Sequence, residues 1–91
     1  EQQQLEALLA SCESDEIRVH ALRSRVAGSR RFVSFHVLVP GHWSGERGHD
    51  LCEQLEQRVA STLSRTDVFT HLEPIEDPRA WDDQGFRWEQ G

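Results

Sequence analysis

An α+β fold of order helix, strand, strand, helix, strand, with its three strands in one open sheet, is what the sequence predicts. Three observations predict it. Apolar residues recur at helical spacing near the start and again through the second half, Leu51, Leu55, Val59 and Leu63 falling every four residues. Between these stretches two segments alternate apolar and polar, as half-buried strands do. A third apolar segment follows the second helix, and Pro74 ends its pattern.

The first helix is expected over Gln2 to Ser14, where Leu5, Leu8, Leu9 and Cys12 share one face. The first strand is expected from Ile17 through Val19 and Ala21, and the second runs through Val33, Phe35, Val37 and Val39 until Pro40-Gly41 stops it. Ser44 is placed to cap the second helix. The third strand is the segment DVFTHLEP, Asp67 to Pro74. The tail has no period, but Trp81, Phe86 and Trp88 set it apart from a solvated end; it either folds back or docks on a partner chain. Residues 1–75 are therefore read as one domain and 76–91 as an aromatic C-terminal tail.

The two central strands read as a hairpin whose odd-numbered apolar residues share the buried face. One register meets that condition by pairing Val19 with Val37 and Ala21 with Phe35, and it sets His20 opposite His36 on the other face. A strict two-residue Gly28-Ser29 turn is one residue out of step with it, so an odd loop or a bulge is expected. The third strand returns by a crossover helix, and the simplest open sheet puts it on the far side of the first strand, with His71 beside His20.

Composition narrows the function classes. The chain has 91 residues, 36% apolar and 29% charged, which limits it to one domain with a modest core. Net charge is −6, so the arginine cluster of Arg18, Arg23, Arg25, Arg30 and Arg31 is not read as a nucleic-acid footprint. No apolar run approaches the roughly 18 residues of a membrane span, and no secretory signal opens the chain. Cys12 and Cys52 are lone cysteines, which fits a reducing compartment. No nucleophile elbow or phosphate-cradling glycine loop is present, so no enzyme is expected.

The histidines carry the chemistry. His71 and Glu73 lie two residues apart on one strand face, and His20 and His36 converge on them through the register. Imidazole nitrogen and carboxylate oxygen suit zinc and similar divalent ions, which take about four ligands. His20, His36, His71 and Glu73 form that set, with His49 at the start of the second helix closing a neighbouring position. His42, in the loop PGHWSG, is read as an ordinary surface histidine; Cys52, three residues after His49 on one helical face, is read first as a buried small residue and second as a soft extra ligand.

Four separated motifs, VHALRSR, RFVSFHVLVPG, GHDLCEQLEQRV and DVFTHLEP, together resemble the cytoplasmic C-terminal domain of cation diffusion facilitator transporters. The resemblance covers Glu16 to Pro74 in unbroken order. It implies a ferredoxin-like, metallochaperone-like αββαβ open sandwich that forms a homodimer and binds divalent metal between or beside its subunits. In zinc-exporting members the matching positions make His20, His36, His49 and His71 ligands, and Glu73 stands where that pattern often has Asp.

The resemblance thus implies a cytoplasmic regulatory domain that senses or holds zinc, with cadmium, cobalt or nickel able to occupy the same ligands. The chain is then either the cytoplasmic part of a transporter, joined to a transmembrane transport domain, or a stand-alone relative. The alternative is a metal-independent protein-interaction or small-molecule regulatory module on the same fold.

Overall fold

In a computed structural model, which describes residues 2–79, the elements follow the expected order: α1 (Gln2–Ala10), β1 (Arg18–Ala27), β2 (Arg30–Val39), α2 (Gly45–Thr62) and β3 (Thr66–Pro74). The tail aromatics Trp81, Phe86 and Trp88 lie outside the described residues.

The first helix buries Leu5 and Leu9 and stops at Ala10, four residues short of Ser14. Cys12 and Glu13 donate their N–H groups to carbonyls only three residues back, at 3.0 and 3.2 Å. This tighter turn ends the helix. The Ser14 hydroxyl then accepts from the N–H groups of Glu16 and Ile17, turning the chain into β1.

Ser44 caps α2 as its position predicts. Its backbone is extended (φ −69°, ψ 157°) and its hydroxyl accepts from the Arg47 N–H at 3.0 Å. The Arg47 guanidinium lies 3.7 Å from the centre of the Trp43 ring, which pins the entry loop to the first turn. The buried residues Gly48, Cys52, Leu55 and Val59 form the face that meets the sheet. Gly48 lets α2 pack closely on β3, because a Cβ there would push the flexible end of the Leu72 side chain aside.

The β1–β2 hairpin resolves the conflict between its turn and its apolar pattern by holding both registers. Near the turn, Ala27 pairs with Arg30 and Ser24 with Val33, as a two-residue Gly28-Ser29 turn demands. Beyond a bulge between His20 and Arg23 the register slips, so that Val19 pairs with Val37 and His20 with His36. The expected pair of Ala21 with Phe35 does not form, because Ala21 is in the bulge, buried and left-handed at φ 58°. Gly28, at φ 63°, supplies the positive φ of the turn without steric cost.

The sheet order is β1-β2-β3, with β3 parallel to β2. This corrects the expectation that β3 lies beside β1. The reason is visible in β2, whose residues from Phe35 to Val39 are all buried, on both faces. A strand flanked on both edges buries a continuous apolar run, whereas β1, with Arg18, Arg23 and Arg25, suits a solvated edge.

The helices and the odd-numbered side chains of β2 make the core. Phe35, Val33, Val37 and Val59 are fully buried there with Leu5. Burying a side chain such as Phe35 contributes about 1.5–3 kcal/mol. The even-numbered residues of β2 point to the opposite face, and that face carries the histidines.

Candidate metal centre

His36 pairs with His20 on the antiparallel side and with His71 on the parallel side. Directly paired residues project from the same face of a sheet. The three imidazoles therefore form one row across three strands, with His36 rather than His20 at its middle. The three histidines share one level despite the change of strand order, because the central strand carries His36 opposite both His20 and His71.

His36 is buried to 7% exposure, and its two ring nitrogens face different groups. Nε2 is 3.3 Å from Nδ1 of His71, the ring centres being 5.0 Å apart and the planes tilted by 51°. Nδ1 is 3.3 Å from Oε2 of Glu73. This is a contact of charge proximity without hydrogen-bond geometry, although a carboxylate that does bond an imidazole nitrogen orients the ring in many metal sites. His71 itself is exposed, so the Nε2–Nδ1 pair borders on solvent.

The separation has a chemical meaning. Two nitrogens bound at about 2.05 Å to a tetrahedral ion stand about 3.3 Å apart. The His36–His71 pair has that spacing, which is also the distance of a hydrogen bond between the two rings, one donating and the other accepting.

His20 completes the row at the edge strand. Burial pulls its pKa below the ordinary histidine value; the Glu13 carboxylate opposes this, while Arg18 and His36 add to it. The resulting preference for the neutral ring is the one a metal ligand needs. Sequence reasoning misses Glu13. It is placed beside His20 by its own bond, Oε2 accepting from the Val19 N–H at 2.8 Å, and no periodicity marks it.

His49 is not brought into this row. It lies on the outer side of α2, highly exposed, with Nε2 3.2 Å from Oε2 of Glu53 one turn on. Cys52 stands on the core face, and burial pushes its thiol pKa up, which suits a packing residue. His42 is exposed in the loop before α2. Among the described residues, no group of three or more histidine, cysteine or acidic side chains encloses a single ion position. The geometry explains this: Glu73 and His71 address opposite nitrogens of His36, so their atoms do not aim at one point.

Comparison with known proteins gives a consistent family. Residues 1–75 match the family model described as the cytoplasmic domain of cation efflux proteins. An uncharacterized transporter of Synechocystis sp. is 52% identical over 82 residues, which cover 86% of this chain and 26% of that protein. The chain spans about a quarter or less of the length of the curated relatives it matches. Among solved structures, the zinc form of CzrB has a TM-score of 0.70 at 30% identity, covering 82% of this chain and 89% of that one. The metal-bound C-terminal domain of CzcD from Thermotoga maritima has a TM-score of 0.72 at 22% identity, covering 85% and 90%, and shows the shared fold.

Proposed function

Because the chain belongs to the cation efflux family, as the cytoplasmic domain of its proteins, we propose that it is a dimeric regulatory domain that binds divalent metal. The observation that carries this reading is the His20–His36–His71 row, with the 3.3 Å separation between His36 Nε2 and His71 Nδ1. Zinc is the leading ion, and cadmium, cobalt and nickel suit the same nitrogen-rich ligands. His36 and His71 supply the first two ligands, Glu73 stands at the other ring nitrogen of His36, and His20 is the next nitrogen along the row.

His49, exposed on α2, reaches a metal position in the paired subunit. A site shared between subunits suits a chain that offers fewer than four convergent donors by itself. Metal bound there stabilises the closed dimer in proportion to its preference for that arrangement. Joined to a transmembrane transport domain, this bias links occupancy to transport of the same class of cation.

Calorimetric titration of chelator-treated protein with zinc tests the proposal. Saturable binding in the parent, weakened by His36→Ala and His71→Ala, supports it. An absence of binding in the parent would overturn it.

A further inference from the structure

Glu13 lies outside the helices and strands, in the linker from α1 to β1, yet its place is fixed at both ends. Its own N–H donates to the Ala10 carbonyl at 3.2 Å, in the tight turn that ends α1. The linker beyond it is closed by the Ser14 N–H on the Ile17 carbonyl at 3.0 Å. The Arg18 guanidinium, donating to the Ser14 and Ile17 carbonyls, clamps the same turn. The Glu13 side chain then crosses to β1, where Oε2 accepts from the Val19 N–H at 2.8 Å.

That N–H needs no charged acceptor. β1 is an edge strand, and water or a neutral side chain satisfies an edge N–H equally well. What a carboxylate adds is charge, and it adds it beside His20, the residue after Val19. Glu13 and His20 line one cavity of about 280 Å³ between α1 and β1, together with Glu6, Leu9 and Ala21. The charges acting on His20 include Glu13 from the linker, Arg18 on β1 and His36 on β2. A cation at His20 is repelled by Arg18, and Glu13 offsets that repulsion.

We propose that Glu13 is a positioning residue for the metal centre: tethered to the Val19 N–H, its carboxylate holds negative charge at the edge end of the histidine row and favours a cation on His20. The proposal rests on the metal-binding reading above and adds to it a residue outside the strand motifs.

Glu13→Gln tests it, because the amide oxygen still accepts from Val19 while the charge is lost. Glu13→Ala removes both the bond and the charge. Glu16→Gln removes one charge from an exposed residue of the same linker. Residues that support metal ligands are worth roughly 10–100-fold in affinity, and solvent screens the exposed Glu13. In isothermal titration with zinc, Glu13→Gln is therefore expected to bind about fivefold more weakly than the parent, and Glu16→Gln within about twofold of it. The loss is expected to vanish when Glu13→Gln is made in a His20→Ala background, whereas a merely structural role would leave it unchanged. Amide exchange of the metal-free chain gives a second readout. The Val19 N–H is expected to exchange at the parent rate in Glu13→Gln and at least about tenfold faster in Glu13→Ala. Parent-like zinc affinity in Glu13→Gln, an equal loss in Glu16→Gln, an undiminished loss without His20, or unchanged Val19 exchange in Glu13→Ala would each overturn the proposal. Parent-like affinity in Glu13→Gln while His36→Ala still weakens binding removes Glu13 alone and leaves the metal site standing. An absence of zinc binding in the parent removes both.

Discussion

His36 Nε2 and His71 Nδ1 face each other at 3.3 Å across the parallel pair of β2 and β3, levelled by direct pairing of the two residues. Removal of either ring takes away one of two nitrogens already at ligand spacing. His36→Ala and His71→Ala are therefore each expected to weaken zinc binding at least tenfold, in line with a roughly 10–100-fold loss for groups that support a metal. His42→Ala, in the exposed loop, is expected to change little. Isothermal titration of the three variants side by side decides it; equal affinity for the parent and both strand variants removes the row from the metal site.

Glu73 Oε2 lies 3.3 Å from Nδ1 of His36, and a carboxylate there adds negative charge beside the row. Glu73→Gln keeps the shape and loses the charge, and a loss of about tenfold in zinc affinity is expected. The variant retains its fold because Glu73 lies outside the apolar core. Unaltered affinity in Glu73→Gln would show that this carboxylate serves neither as ligand nor as orienting group.

The sequence already carries the pairing of His20 with His36, because alternation in VHALRSR and RFVSFHVLV permits few registers. It also carries the tension between the Gly28-Ser29 turn and that register, which the structure relieves at Ala21 and Leu22. The place of β3 is harder to read. Strand order depends on which strand has apolar residues on both faces, and Val37-Leu38-Val39 after His36 is that signal in β2. The helix start suggests a place for His49 near the others, but no local pattern records that the sheet separates the outer side of α2 from the histidine face.

Ala21 gives a test of the bulge itself. It is buried and left-handed at φ 58°, a conformation that costs an L-residue about 1–2 kcal/mol and is worse for a β-branched one. Ala21→Val is expected to destabilise the fold by about 2 kcal/mol, since a β-branched side chain tolerates that φ least. Ala21→Gly relieves the left-handed strain but loses backbone order, so its effect is expected to be small. Urea unfolding of the two variants checks this, and similar midpoints for both would deny the bulge its strain.

Assembly follows from the shortage of donors in one subunit and from the exposed side chains of Phe69 and Leu72 on β3. A dimer is expected without metal at tens of micromolar protein, and zinc is expected to tighten it by its differential affinity for the closed form. Light scattering with and without zinc reports both steps. A monomer mass in both conditions would count against a shared site.

Proton competition gives the last test. Burial holds His20 below the ordinary histidine value of 6.5, so the unfolded chain takes up this proton before the folded one as pH falls. More protons on the unfolded state means that stability is lost as pH drops below about 6.5, and is fully present above it. Metal binding follows the same direction, because each protonated imidazole removes a ligand and adds a positive charge beside the cation. Zinc affinity is therefore expected to fall steeply between about pH 7 and pH 5.5, whereas a carboxylate-only site would hold until about pH 4. Thermal stabilisation by zinc must shrink in the same window, since it depends on the ratio of free metal to the dissociation constant. Melting curves with and without zinc at several pH values measure both effects in one series. The apo protein reports the burial of His20, and the zinc increment reports the ligands. An increment unchanged from pH 7.5 to 5.5 would mean that the histidines do not bind the ion.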